Sequence, residues 1–220
     1  MSHHSNIFLP GATKRMEALS DGVFAIAATL LVLEIKVPEL EKGFTQKELM
    51  HELGEILPSL IGFVFSFLNI LVFWVNHDAI NKVIIRYDTK TTYLNLVFLL
   101  FISLIPFTSS FISRYPDSFI AITCYGLVLF FCSLFGAIMY RHLAFRSNLF
   151  MREVTMKSRK KIWKQVVSGP ILFALAIAGG LITVYIPIVI YALTPISFMF
   201  LPQLDFDTAE EEKEKAKHAE

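Results

Sequence analysis

Asp21 and Glu34 stand at the two ends of an apolar stretch, Gly22 to Leu33, of twelve uncharged residues. As a helix this stretch covers about 18 Å, against roughly 30 Å of bilayer hydrocarbon. A membrane-crossing helix here must carry Asp21, and at its far end Glu34, into or near a low-dielectric zone. An ionised carboxylate at bilayer depth costs about 2.5–3.5 kcal/mol on insertion scales, so lipid cannot surround this helix on all sides. A buried carboxylate needs donors. Arg15 and Ser20 lie on its own segment, and Trp74, Asn76 and His77 lie near the end of the next apolar run. Two chemistries are open to such a set. It can fix one helix against another, or Glu17, Asp21 and His77 can carry protons.

Helical geometry separates two faces of the first segment. At about 100° per residue, Asp21 shares a side with Ala25, Ala28 and Val32, a mostly small-residue face suited to close packing. Ile26, Leu30 and Leu33 share the opposite, bulky side, with Thr29 on its border. That bulky side can face lipid. If several copies meet around an axis, it instead forms stacked apolar rings that gate a pore by dewetting.

No catalytic constellation accompanies these residues. Trp74 and His77 are three apart on one helix face and His142 lies in another connection, which is no zinc spacing. Cys124 and Cys132 are eight apart in a single apolar run, where packing is the expected role. A Gly-rich phosphate loop, a Gly-x-Ser-x-Gly elbow and a Thr-Val-Gly-Tyr-Gly filter are all absent from the sequence. An enzyme is therefore not expected, nor a cofactor or a resident metal. A net charge of +1, with no basic patch interleaved with aromatics, gives no reason to expect nucleic acid.

The elements that must position these groups follow from composition. Hydrophobic residues make up 55% of the 220, and twenty-one are Phe, too many for one soluble core of this size. The fold class expected is all-α, a polytopic membrane protein. Apolar runs predict helices at about 17–37, 56–76, 92–113, 118–140, 165–183 and 186–202. The last two come from one charge-free run of 37 residues, Val166 to Pro202, which a hairpin near Val184–Pro187 divides. Sixteen of the twenty Lys and Arg then fall on one side, which favours six spans with both termini cytoplasmic. Leu19–Leu33 resembles the core of a cleaved signal, but Asp21 sits inside it, so the helix is expected to be retained.

The domain plan expected is a cytoplasmic segment at 1–16, a transmembrane domain at 17–202 and a charged cytoplasmic tail at 203–220. Residues 39–55 predict a separate amphipathic helix on the outer surface, started by the capping box Thr45-Gln-Lys-Glu48; it serves as a pore-mouth collar or a lipid-interface linker. Residues 141–164 predict a basic cytoplasmic loop.

Arg15-x-x-x-Leu19-Ser20-Asp21, running into Ala25-Ile26-Ala27-Ala28-Thr29, resembles the Arg-x-x-x-Phe-Ser-Asp signature of the transmembrane protein 175 family, with Leu19 in place of Phe. Trp74-x-x-His77 and the six-span plan are similar to that family as well. Its members are potassium-permeable channels, lysosomal in animals and also present in prokaryotes. The resemblance implies a pore lined by the first helix without a re-entrant filter loop. It implies an apolar constriction at Ile26 with further layers at Leu30 and Leu33, and a selectivity role for Thr29. Arg15, Ser20 and Asp21, with Trp74, Asn76 and His77, would stabilise the pore helix, and Glu34 would stand at the outer mouth. Animal members carry two repeats and this chain one, which implies a homotetramer. The function expected is passive, potassium-selective conduction across a prokaryotic cytoplasmic membrane, with K+ as permeant ion. The alternative is a proton pathway or secondary transporter using Asp21 and His77, for which Gly179-Gly180 and Pro195 offer a slight hint.

Overall fold

The computed structural model describes residues 12–40, 42–151 and 153–200. Six α-helices follow one another: α1 (Ala12–Leu30), α2 (Gln46–Asn81), α3 (Thr89–Arg114), α4 (Phe119–Arg141), α5 (Met156–Gly179) and α6 (Tyr185–Phe200). The protein is an all-α polytopic membrane protein, and five of the six helices are long and apolar enough to cross a bilayer. α6 has 16 residues, about 24 Å of helix, and runs back along α5. Gly179 meets Ile186, and the Phe173 ring lies 6.2 Å from that of Tyr191. α1 tightens into a 3-10 turn at Leu31–Glu34, and α4 ends in a wider π-type turn at His142–Arg146. Among the described residues there is no strand, and an antiparallel bridge joins Ile84 to Phe150.

Two expected boundaries are corrected. The outer amphipathic segment is not a separate helix: the Thr45–Glu48 capping box starts α2 itself, which runs unbroken for 36 residues through Pro58. A proline removes one backbone donor, and the turns on either side carry the axis across. Nor is 141–164 all loop. Thr155 caps α5 through a bond to the Ser158 amide, so Lys157, Arg159, Lys160, Lys161 and Lys164 already lie on helix. The tail beyond Phe200 and the segment before Ala12 lie outside the described residues.

Lipid is as apolar as leucine, so burial alone gives these helices little reason to associate; close van der Waals contact and interhelical hydrogen bonds do. The interior has both. Phe24, Ile70, Phe98, Ile102, Leu129 and Phe173 form the central core. Buried within it, Ser66 Oγ lies 2.8 Å from Ser109 Oγ and 3.0 Å from Tyr125 OH, tying α2, α3 and α4 together. A second cluster at the basic end joins Ile80, Tyr140, Leu143, Phe150 and Ile162. Arg159 fastens that end: Nη2 donates to Met151 O (2.8 Å), Nη1 to Ala144 O and Nε to Val154 O (both 3.2 Å).

Candidate ion pathway along the first helix

α1 is covered on one side only. Ser20, Phe24, Ala27, Ala28 and Leu31 are buried against α2 and α3, at positions that repeat every three or four residues. The packing face is thus rotated from the one size alone suggests: Ala28 is buried, but Asp21, Ala25 and Val32 are exposed. Phe24 decides this. Its ring sits 5.7 Å from His77 and 5.8 Å from Phe98, and His77 stacks on Phe98 at an interplanar angle of 6°. Three rings from α1, α2 and α3 make a tighter joint than a row of alanines.

The bulky side is uncovered. Ile26 is 60%, Leu30 43% and Leu33 70% exposed, and Leu19 joins the same stripe. Thr29 is exposed beside them, its hydroxyl donating to Ala25 O (2.9 Å) or Ile26 O (3.0 Å), which leaves the oxygen lone pairs outward. Glu34 ends the 3-10 turn and lines a cavity of about 420 Å³. Glu52 and Glu55 share that cavity with Lys36 and Arg114, so both signs of charge meet there.

Behind α1 the polar residues form an ordered chain. Trp74 Nε1 donates to Asp21 Oδ1 at 3.0 Å, at the end of an open groove between α1 and α2. Deeper in, Tyr87 OH donates to Asn81 Oδ1 (2.7 Å), and Asn81 Nδ2 faces His77 Nδ1 (3.2 Å). His77 Nε2 faces Asn95 Oδ1 (2.8 Å), Asn95 Nδ2 donates to Ser20 Oγ (2.9 Å), and Ser20 Oγ donates to Met16 O (2.8 Å). Each amide already has one end fixed, so the network assigns the ring protons. Asn81 must present its NH2 to Nδ1 and Asn95 its oxygen to Nε2–H. In the neutral imidazole this places the proton on Nε2.

Of the residues expected to hold Asp21, only Trp74 touches it directly. Ser20 and His77 belong to the neighbouring chain of bonds, joined through Asn95. Asn76 lines a cavity of about 70 Å³ beside His77. Arg15 is exposed and forms no ion pair with Asp21 in this chain. Asn95, Asn81 and Tyr87 are absent from the sequence-derived set. An amide inside the apolar run of α3 was the available signal, since buried polar groups in membrane helices are costly unless paired.

The basic end has a further joint. Asp88 caps α3 by accepting from Thr91 N (2.7 Å), and His142 Nε2 reaches its other oxygen at 2.8 Å. Burial alone would raise the Asp88 carboxyl, but the bonds from Thr91 and His142 together outweigh it and hold it below the usual carboxylate range.

Known proteins share this fold. The family model described as endosomal/lysosomal potassium channel TMEM175 matches residues 15–106. A potassium channel of Chamaesiphon minutus is 36% identical over 180 residues, covering 80% of this chain and 88% of its own length. A potassium channel of Streptomyces collinus is 30% identical over 190 residues, covering 84% of this chain and 91% of its own. The crystal structure of a lysosomal potassium-selective channel TMEM175 homolog from Chamaesiphon minutus superposes with a TM-score of 0.75 at 33% identity, covering 85% of this chain and 96% of that one. The endosomal/lysosomal proton channel TMEM175 of Bos taurus is 32% identical over 135 residues, 28% of its length. With its motif-bearing first helix, its six-helix order and this similarity along most of its length, the chain belongs to the TMEM175 family of ion channels, and is no enzyme.

Proposed function

We propose that the protein is a passive, potassium-selective channel of a prokaryotic cytoplasmic membrane, in which four chains place their α1 helices around a shared axis. The observation that carries this is the uncovered stripe of Ile26, Leu30 and Leu33 on a helix that packs against α2 and α3 through Ser20, Phe24, Ala27, Ala28 and Leu31. Around an axis these side chains make three apolar layers, narrowest at Ile26, which pass an ion only when it sheds water. Potassium holds its hydration less tightly than sodium, so the same constriction favours it. Thr29 oxygens replace part of the lost water, and Glu34 draws cations to the outer mouth. Asp21, Ser20, Trp74 and His77 hold the helix rather than the ion, with Arg15 and Asn76 in reserve for contacts between chains. Both termini lie on the cytoplasmic side with the basic connections, and 17–202 is the conducting domain between the short N-terminal segment and the charged tail.

Reversal potentials under bi-ionic gradients, with purified protein in liposomes, test the proposal. Potassium should outrank sodium, and Ile26→Asn should raise conductance while lowering that preference. Currents unchanged by Ile26→Asn would remove this residue from the constriction. Proton passage is the second reading, because vertebrate relatives are described as proton channels. It would share the α1 route, since His77 is locked between two amides.

A further inference from the structure

α5 is long enough to cross a bilayer only with its charged first turns included. From Gln165 to Gly179 it has 15 uncharged residues, about 22 Å of helix, where the hydrocarbon measures roughly 30 Å. Leu181 and Ile182, beyond its end, are 78% and 82% exposed, so the apolar surface continues into the connecting turn. Even with that apolar tip, the first turns of α5 must sit at headgroup depth. Trp163, half-buried in these first turns, stacks on the buried Tyr140 at 6.4 Å and 9°, which fixes how this end of α5 is rotated.

At this depth the lysines are aligned. Lys157, Lys160, Lys161 and Lys164 occupy positions i, i+3, i+4 and i+7, one face of the helix, and all are exposed. Arg159 points the other way, bonded to three carbonyls and 4.7 Å over the Phe150 ring, so the face is held rigidly. Among the described residues no carboxylate lies within ion-pair distance of Lys160, Lys161 or Lys164. Positive loops alone would explain basic residues on this side. They do not explain four on one helical face at the depth of the phosphates.

We propose that this lysine strip is a docking surface for anionic phospholipid headgroups in the adjoining leaflet. The inference rests on the membrane crossing of α5 and is independent of which ion the channel carries. Each ammonium can snorkel outward to a phosphate while its stem lies along the apolar neighbours.

The test uses the full chain carrying Trp74→Phe, which leaves Trp163 as the only tryptophan. In phosphatidylcholine vesicles, quenching of Trp163 by brominated phosphatidylglycerol is compared with quenching by brominated phosphatidylcholine at the same mole fraction. The anionic lipid should show an apparent local enrichment of at least about 5-fold, the factor one lysine near an anionic surface contributes. The enrichment should fall in 0.5 M salt, where the Debye length is roughly 4 Å, and vanish in Lys160→Gln/Lys161→Gln/Lys164→Gln. Lys82→Gln, whose lysine is paired to Asp78, should leave it intact. Native mass spectrometry of the unsubstituted protein should likewise retain phosphatidylglycerol over phosphatidylcholine. Equal quenching by the two lipids, or enrichment that survives the triple substitution, would overturn the proposal. Enrichment that appears only after residues 205–220 are removed would overturn it too, assigning the strip to the acidic tail.

Discussion

Replacing Asn95 with Ala should unravel the link between α1 and the rest of the bundle. The residue is completely buried and serves both neighbours, accepting from His77 Nε2–H and donating to Ser20 Oγ. Its removal leaves the imidazole donor without an acceptor, at about 1–3 kcal/mol for an orphaned buried group. The vacated volume adds about 1 kcal/mol. Ser20 keeps its own bond to the Met16 carbonyl, so its loss is small. The total is about 2–4 kcal/mol, a fall of roughly 4–16 °C in Tm for a chain of this size. Thermal unfolding of purified protein in one detergent measures it. Asn95→Leu refills the space without serving the imidazole, and should recover no more than the packing part. A double-mutant cycle with His77→Ala isolates the pair, and should give a coupling energy above about 1 kcal/mol. An unchanged Tm, or effects additive within about 0.5 kcal/mol, would refute the network as a unit.

Three further outcomes are expected. The folded-state depression of Asp88 means that its ionised form stabilises the protein above the ordinary carboxylate range, a contribution lost as pH falls through its folded value, below about pH 4. Asp88→Asn should therefore lower Tm at pH 7 and remove part of the acid-side decline; identical acid limbs would exclude this account. Tyr191 OH is buried without a partner, so Tyr191→Phe should leave Tm unchanged or raise it. Gly126→Ala would drive a methyl into that hydroxyl and destabilise by about 1–3 kcal/mol, and Tyr191→Phe should restore most of the loss in the double variant, as read by the same melts. Arg159→Lys cannot reach three carbonyls at once, so limited proteolysis between 142 and 155 should accelerate several-fold while the charge is kept.

The sequence carried the helix order well, because long apolar runs separated by charged connections admit few other arrangements in a bilayer. It also placed Ile26, Leu30 and Leu33 together, since a stripe follows from helical period alone. The packing side of α1 did not follow. Small residues suggested Ala25 and Val32, whereas the shape of Phe24 against His77 and Phe98 selects a neighbouring face, and such a fit belongs to three helices at once. Helix boundaries at 56 and 165 failed for a related reason: Glu52, Glu55 and the lysines of α5 end a hydrophobic run without ending a helix. Asn95 stayed hidden because its importance lies in what it meets from α1 and α2.

The unbroken course of α2 has a consequence for its tolerance of change. A flexible connection between an outer segment and a membrane span would absorb an inserted or deleted residue. In a single 36-residue rod, one insertion between Glu55 and Leu57 turns the N-terminal part by about 100° relative to Trp74 and His77. Glu52 and Glu55 would swing away from the cavity they share with Glu34. The Glu34 cavity and the Trp74–His77 joint are thus in helical phase with each other, and the number of residues between them is part of the design.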